Sequence, residues 1–166
     1  MPFLPEAIWK RRLAAEFEEL KGSGAEYTVN SDLTVYEFTI RAKGLVQDAS
    51  GNVSSSNSHK VRVLLKREYP YAGGIEVTWL TSIFHPNIRM EDGRVCIHLL
   101  NEWAEGQSLS SLAAGLKQLL ENPNPSDPLN KVAAEYFLAH PDALTSSTLS
   151  SSGPSASTRP RIVFSR

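Results

Sequence analysis

The strongest constraint on the fold is a change in the spacing of apolar residues at Gly22 and Gly24. Before these glycines, Trp9, Leu13, Phe17 and Leu20 recur at helical intervals, with Lys10, Arg11, Arg12, Glu18 and Glu19 on the remaining surface and Pro5 suited to a first turn. After them the period falls to two. Tyr36, Phe38 and Ile40 alternate with Val35, Glu37, Thr39 and Arg41, and the alternation returns at Val61, Val63 and Leu65 and again at Ile75, Val77 and Trp79. An amphipathic helix followed by about four antiparallel strands is predicted. The stretch from Gly44 to His59 is rich in Ser, Asn and Gly with nothing evident to bury, which predicts a long loop with a mobile tip.

Beyond His85 regular periodicity lapses for about twenty residues. It resumes at Leu109, Leu112, Leu116, Leu119 and Leu120, a helix that Ser108 can cap. Pro123, Pro125 and Pro128 forbid helix where they stand, and Asn130 to Ala139 reads as a short helix with Val132, Ala133, Tyr136 and Phe137 inward. The fold class is therefore α+β, with one domain over residues 1–144. From Thr145 to Thr158 ten of fourteen residues are Ser or Thr, too polar to offset the entropy of ordering, so 145–166 is expected to be a disordered tail.

Seventeen basic and eighteen acidic side chains give a net charge of −1, which provides no field that would gather nucleic acid or an anionic membrane. No apolar run approaches the roughly 20 residues of a bilayer span, and the N-terminus lacks signal-peptide order. Cys96 is the single cysteine and cannot close an intramolecular disulfide, which fits a reducing, cytoplasmic setting. Its thiol is either buried packing or a reactive group. Cys96 with His59, His85 and His98 lacks the paired spacing of a zinc site, so no metal and no cofactor are expected.

The aperiodic region holds His85-Pro86-Asn87, then Gly93-Arg94-Val95-Cys96, then Trp103, then Pro123-Asn124-Pro125-Ser126-Asp127-Pro128-Leu129. These landmarks, in this order, resemble those of the ubiquitin-conjugating enzymes: a His-Pro-Asn tripeptide, a catalytic cysteine, a tryptophan after it, and a Pro-Asn-Pro-x-Asp-Pro-Leu turn. Glu68-Tyr69-Pro70-Tyr71 resembles the family's Tyr-Pro-Phe loop, and the match runs over roughly residues 5–140.

The resemblance implies a fold of N-terminal helix, four-stranded antiparallel meander, irregular active-site segment, central helix and short C-terminal helix. It also implies that Cys96 takes the C-terminus of ubiquitin or a ubiquitin-like protein from an activating enzyme and yields it to a substrate lysine. A thiolate is both nucleophile and leaving group, as acyl transfer between carriers requires. Asn87 matches the family's asparagine, whose amide can stabilise the oxyanion, although an Asn here can equally tie down irregular backbone. Asp127 matches the acidic residue that orients the incoming lysine, or is a turn residue before Pro128.

His85 reads as an imidazole bonded to backbone sooner than as a general base, with Pro86, Trp103 and Asn124 as supporting residues. His98, two residues past Cys96, departs from the acidic residue common there and either tunes the thiol or is an exposed polar side chain. A Cys96–His98 hydrolase lacks an obvious third residue, and a non-catalytic modifier-binding module of the same fold remains an alternative. The first helix with Lys10, Arg11 and Arg12, the Tyr71 loop and the loop at Glu105 correspond to the surface that meets RING-type ligases, and a monomer is expected. Nine positions separate Asn87 from Cys96, one more than the family pattern, and seven separate Cys96 from Trp103, one fewer, so either Cys96 sits one residue off the usual register or the loop carries a compensating bulge.

Overall fold

The structure, a computed structural model, describes residues 3–95 and 108–145. Helix α1 spans Glu6–Lys21 and opens with the Trp9 N–H donating to the Pro5 carbonyl at 2.9 Å. Leu13 and Leu20 are buried, and Trp9 and Phe17 pack half-buried against the same core, as their spacing requires. Strands β1 (Glu26–Val29), β2 (Val35–Ile40), β5 (His59–Leu65) and β6 (Ile75–Trp79) form one antiparallel sheet in the order β1-β2-β5-β6. Along β5, His59, Val61, Val63 and Leu65 face the core while Lys60 and Arg62 face solvent. Full burial of each such aliphatic residue contributes roughly 1.5–3 kcal/mol.

Helix α2 (Leu109–Glu121) turns Leu109, Leu112, Leu116 and Leu120 into that core. Its first turn is capped by Ser108 Oγ, which accepts from the Ser111 N–H at 3.3 Å. Helix α3 (Lys131–Ala139) is capped by Asn130 Oδ1, which accepts from the Ala133 N–H at 3.0 Å.

Two expectations are corrected. Residues 44–59 are not a long loop: β3 (Gly44–Gln47) and β4 (Val53–Ser56) pair as a separate two-stranded hairpin, and β5 begins at His59. The segment does bury something, because Leu45 packs with Phe84, Ala133, Phe137 and Ala143 in a second apolar cluster, and its carbonyl accepts from the Phe84 N–H at 2.7 Å. Its turn is set by Asp48, which accepts from the Ser50 and Asn52 N–H groups, each at 2.9 Å, and by Gly51 at φ +89°. In α3, Ala133, Ala134 and Phe137 are buried and Tyr136 half-buried, but Val132 is 60% exposed; the inward face begins one residue later than the sequence suggests. Among the described residues no helix is long and apolar enough to cross a membrane. Residues 146–166, most of the expected tail, lie outside the described residues.

Candidate active site

Ile83 and Phe84 are buried and carry the chain from β6 into His85-Pro86-Asn87, which is buried as well. His85 binds α2, while Pro86 and Asn87 bind the two ends of the proline-rich turn. The His85 ring takes a bond at each nitrogen. Its Nδ1 accepts from the Asn87 N–H at 3.0 Å, which leaves the proton on Nε2 to donate to the Leu119 carbonyl of α2 at 2.8 Å. Burial pushes its pKa down to about 4, so the ring is neutral at ordinary pH and both its nitrogens are committed. The blander reading of His85 is what the geometry displays: it is a latch between tripeptide and helix.

Pro86 acts through its carbonyl, which accepts from the N–H groups of Leu129 at 2.8 Å and Asn130 at 3.1 Å. Asn87 acts through its side chain. Nδ2 donates to the Asn124 carbonyl at 2.8 Å while Oδ1 accepts from the Asn124 N–H at 2.9 Å, so the amide mimics a backbone pairing partner. Asn124 in turn uses Oδ1 to accept from the N–H of Ser126 at 3.0 Å and its hydroxyl at 2.7 Å. The proline-rich turn is thus stapled to the tripeptide at both ends, and Asp127, between those staples, is exposed on its outer side.

The chain then doubles back. Ile88 bridges Val95 and Thr78 bridges Arg94, which hooks the returning segment onto the edge of β6. Arg89 faces two residues at once: its carbonyl accepts from the Gly93 N–H at 2.8 Å and its N–H donates to the Arg94 carbonyl at 2.8 Å. With Gly93 at φ +75°, this is a glycine bulge, which lies between Asn87 and Val95. Asp92 braces it, accepting from Arg89 Nε at 3.0 Å, Arg89 Nη2 at 2.6 Å and the Arg94 N–H at 3.1 Å, and the Arg89 guanidinium holds the Asp92 carboxyl well below the usual range.

His85, Pro86, Asn87, Asn124 and Asp127 therefore come together on one rim, and Val95, one peptide bond from Cys96, leads up to it. Cys96, His98, Trp103 and Glu105 lie outside the described residues. Arg11, Arg12 and Tyr71 line a separate surface groove of about 390 Å³ with Leu4, Ile8, Ala15 and Pro70. Lys10 is exposed elsewhere on α1 in an ion pair with Glu6 at 3.1 Å. Arg12 also pairs inward, through Nε, with Glu16 at 2.9 Å, and its guanidinium lies 5.4 Å from the centre of the Tyr69 ring. Glu16 was missed by the sequence reading. The signal was its place three residues after Leu13 and four before Leu20, on the buried face of the helix.

The family model described as ubiquitin-conjugating enzyme matches residues 12–149. The chain belongs to the ubiquitin-conjugating enzyme family. Among curated members it is 28% identical over 97 residues to ubiquitin-conjugating enzyme E2 21 of Caenorhabditis elegans, covering 58% of this chain and 45% of that protein. It is 31% identical over 134 residues to ubiquitin-conjugating enzyme E2 6 of Arabidopsis thaliana, covering 78% of this chain and 68% of that one. A shorter match, 48% over 63 residues, joins 37% of the chain to 33% of the NEDD8-conjugating enzyme UBC12 of Saccharomyces cerevisiae. The solved structure of S. cerevisiae Ubc12 superposes with TM-score 0.60 at 26% identity, covering 78% of this chain and 71% of that one. The chain thus spans less than half of two of these three curated relatives.

Proposed function

We propose that this chain accepts the C-terminus of ubiquitin or a ubiquitin-like modifier as a thioester on Cys96, delivered by an activating enzyme, and transfers it to a substrate lysine with the help of a RING-type ligase. The observation that carries this reading is the rim built by His85-Pro86-Asn87 and the turn through Asn124 and Asp127, next to the Ile88–Val95 bridge, in a chain of this family. Its setting is proposed to be cytoplasmic, and its form monomeric. Whether the modifier is ubiquitin, as in the names of the worm and plant relatives, or NEDD8, as in the yeast one, is a choice the same assay makes.

In the transfer step the lysine amine attacks the thioester carbonyl, a C–N bond forms, the C–S bond breaks, and the thiolate of Cys96 departs. Asn87 spends one Nδ2 proton on Asn124 and keeps a second, which suits it to stabilise the oxyanion while holding the turn. The exposed carboxylate of Asp127 is suited to orient the incoming ammonium and receive its proton.

The test incubates the protein with ATP and either ubiquitin or NEDD8, each with its own activating enzyme, and compares reducing with non-reducing gels. A thiol-sensitive conjugate with one modifier supports the reading, and its absence with both contradicts it. Asp127→Ala should load at the wild-type rate and discharge to free lysine about 100-fold more slowly, the low end of the range for loss of a proton acceptor. Equal discharge removes Asp127 from the mechanism.

A further inference from the structure

The carboxylate of Glu16 lies away from the rim and is 3% exposed, yet it gathers donors from three elements. Its Oε2 accepts from Arg12 Nε at 2.9 Å within α1 and from the Tyr69 hydroxyl at 2.5 Å, in the loop over residues 66–74 that carries Tyr71. Its Oε1 accepts from the N–H of Leu109 at 2.9 Å, the first residue of α2 and 93 positions away in sequence. One turn along, Glu19 Oε2 accepts from Ser110 Oγ at 2.7 Å, so α1 grips the start of α2 twice.

A carboxylate is buried at acceptable cost only when its lone pairs are filled, and charge-assisted bonds of this kind are the strong ones. The Leu109 N–H is one of the donors that a helix cannot satisfy within its first turn, and a negative charge there also complements the helix dipole. Burial and the neighbouring Glu16 hold the Tyr69 hydroxyl protonated far beyond the usual phenol range, so it donates at every ordinary pH. Two oxygens are shared among three donors, and a displacement of one donor changes the geometry available to the others.

We infer that Glu16 is a positioning residue that links the loop over residues 66–74 to the first turn of α2, so that a partner shifting the Tyr71 loop also shifts the helix start thirteen positions after Cys96. Its consequence for catalysis rests on the proposed role of Cys96; the link itself does not.

Hydrogen exchange on the wild type, Glu16→Gln and Tyr69→Phe tests the link. Gln keeps the size but offers one acceptor oxygen in place of two. The Leu109 amide should exchange about tenfold faster in Glu16→Gln and about threefold faster in Tyr69→Phe, with the amides of β5 and β6 unchanged. The Tyr69→Phe result is decisive, because the altered atom belongs to the loop over residues 66–74 and donates to Glu16. No change at Leu109, or an equal rise at every amide, overturns the inference.

Lysine discharge then tests the consequence: both variants should load normally and keep the wild-type half-saturating lysine concentration, while the maximal discharge rate falls about threefold. Unchanged maximal rates overturn it. A wild type that fails to load contradicts the role of Cys96, and the exchange result then decides the link alone.

Discussion

Two turns in this molecule use one device at different lengths. In the hairpin between β3 and β4, the Asp48 N–H donates to the Asn52 carbonyl at 2.9 Å and the Gly51 N–H to the Asp48 carbonyl at 3.0 Å, with Gly51 at φ +89°. At the rim, Arg89, Gly93 and Arg94 repeat the pattern with one more residue inside the turn. The bulge places one residue opposite two and leaves the left-handed position to glycine. What differs is the surroundings. A Cβ on Gly51 would meet nothing within 4 Å, whereas one on Gly93 would fall 2.1 Å from the Trp79 carbonyl oxygen, because that turn is hooked to β6 through the Trp79 N–H and Gly93 carbonyl at 2.8 Å. The first glycine answers to its own dihedral alone, and the second also to the sheet.

Gly93→Ala should therefore be the most damaging of these changes, costing about 3 kcal/mol or more from strain and a backbone collision, read from the denaturant midpoint. A cost no larger than that of Gly51→Ala would break the comparison. The tripeptide that precedes the rim turn is latched to α2 by a histidine, His85. His85 is held neutral, with its pKa lowered from 6.5 to about 4, so the folded state refuses a proton that the unfolded chain accepts. Its contribution is full above pH 6.5 and is lost as pH falls toward 4, a decline of roughly 2–4 kcal/mol. His59, buried with Nε2 at 3.0 Å from the carbonyls of both Ala42 and Ser56, is shifted in the same direction by desolvation and adds to the slope. Stability measured across that window should flatten in His85→Asn, and an unaltered slope would remove His85 as its main source.

Gly51→Ala follows, at about 1 kcal/mol for a left-handed alanine in open space. Smallest is the deletion of Met90, which is 48% exposed in the rim turn and whose loss converts the longer turn into the shorter type. The Ile88–Val95 bridge is outside the altered part, so stability should change by less than about 1 kcal/mol. A collapse of the fold would mean that the extra residue is structural.

Much of this was legible in the sequence, and the gaps have physical causes. Helix α1 and strands β2, β5 and β6 were readable because each packs against one core, which prints its period on the chain. The hairpin over residues 44–56 was not, since Leu45 is its only buried large apolar side chain, with Val53 half-buried beside the same cluster, and most of the rest is Ser, Asn, Asp, Gln and Gly. The signal that could have found it is Asp48 three residues before Gly51, which is turn chemistry and not hydrophobic pattern. At the rim, the motif residues were identified as a group, but their division of labour was not. That Pro86 works through its carbonyl and His85 through Leu119 depends on contacts dozens of residues apart, which spacing along a chain does not encode.

The account turns on the single thiol of this chain. Loading wild type and Cys96→Ser in parallel, followed by peptide mass spectrometry of the conjugates, tests it most directly. The account predicts a thiol-labile modifier on Cys96 in the wild type and, in the variant, either no conjugate or a thiol-stable ester on Ser at position 96. A conjugate mapped to a lysine in both proteins, or one indifferent to the substitution, would contradict it.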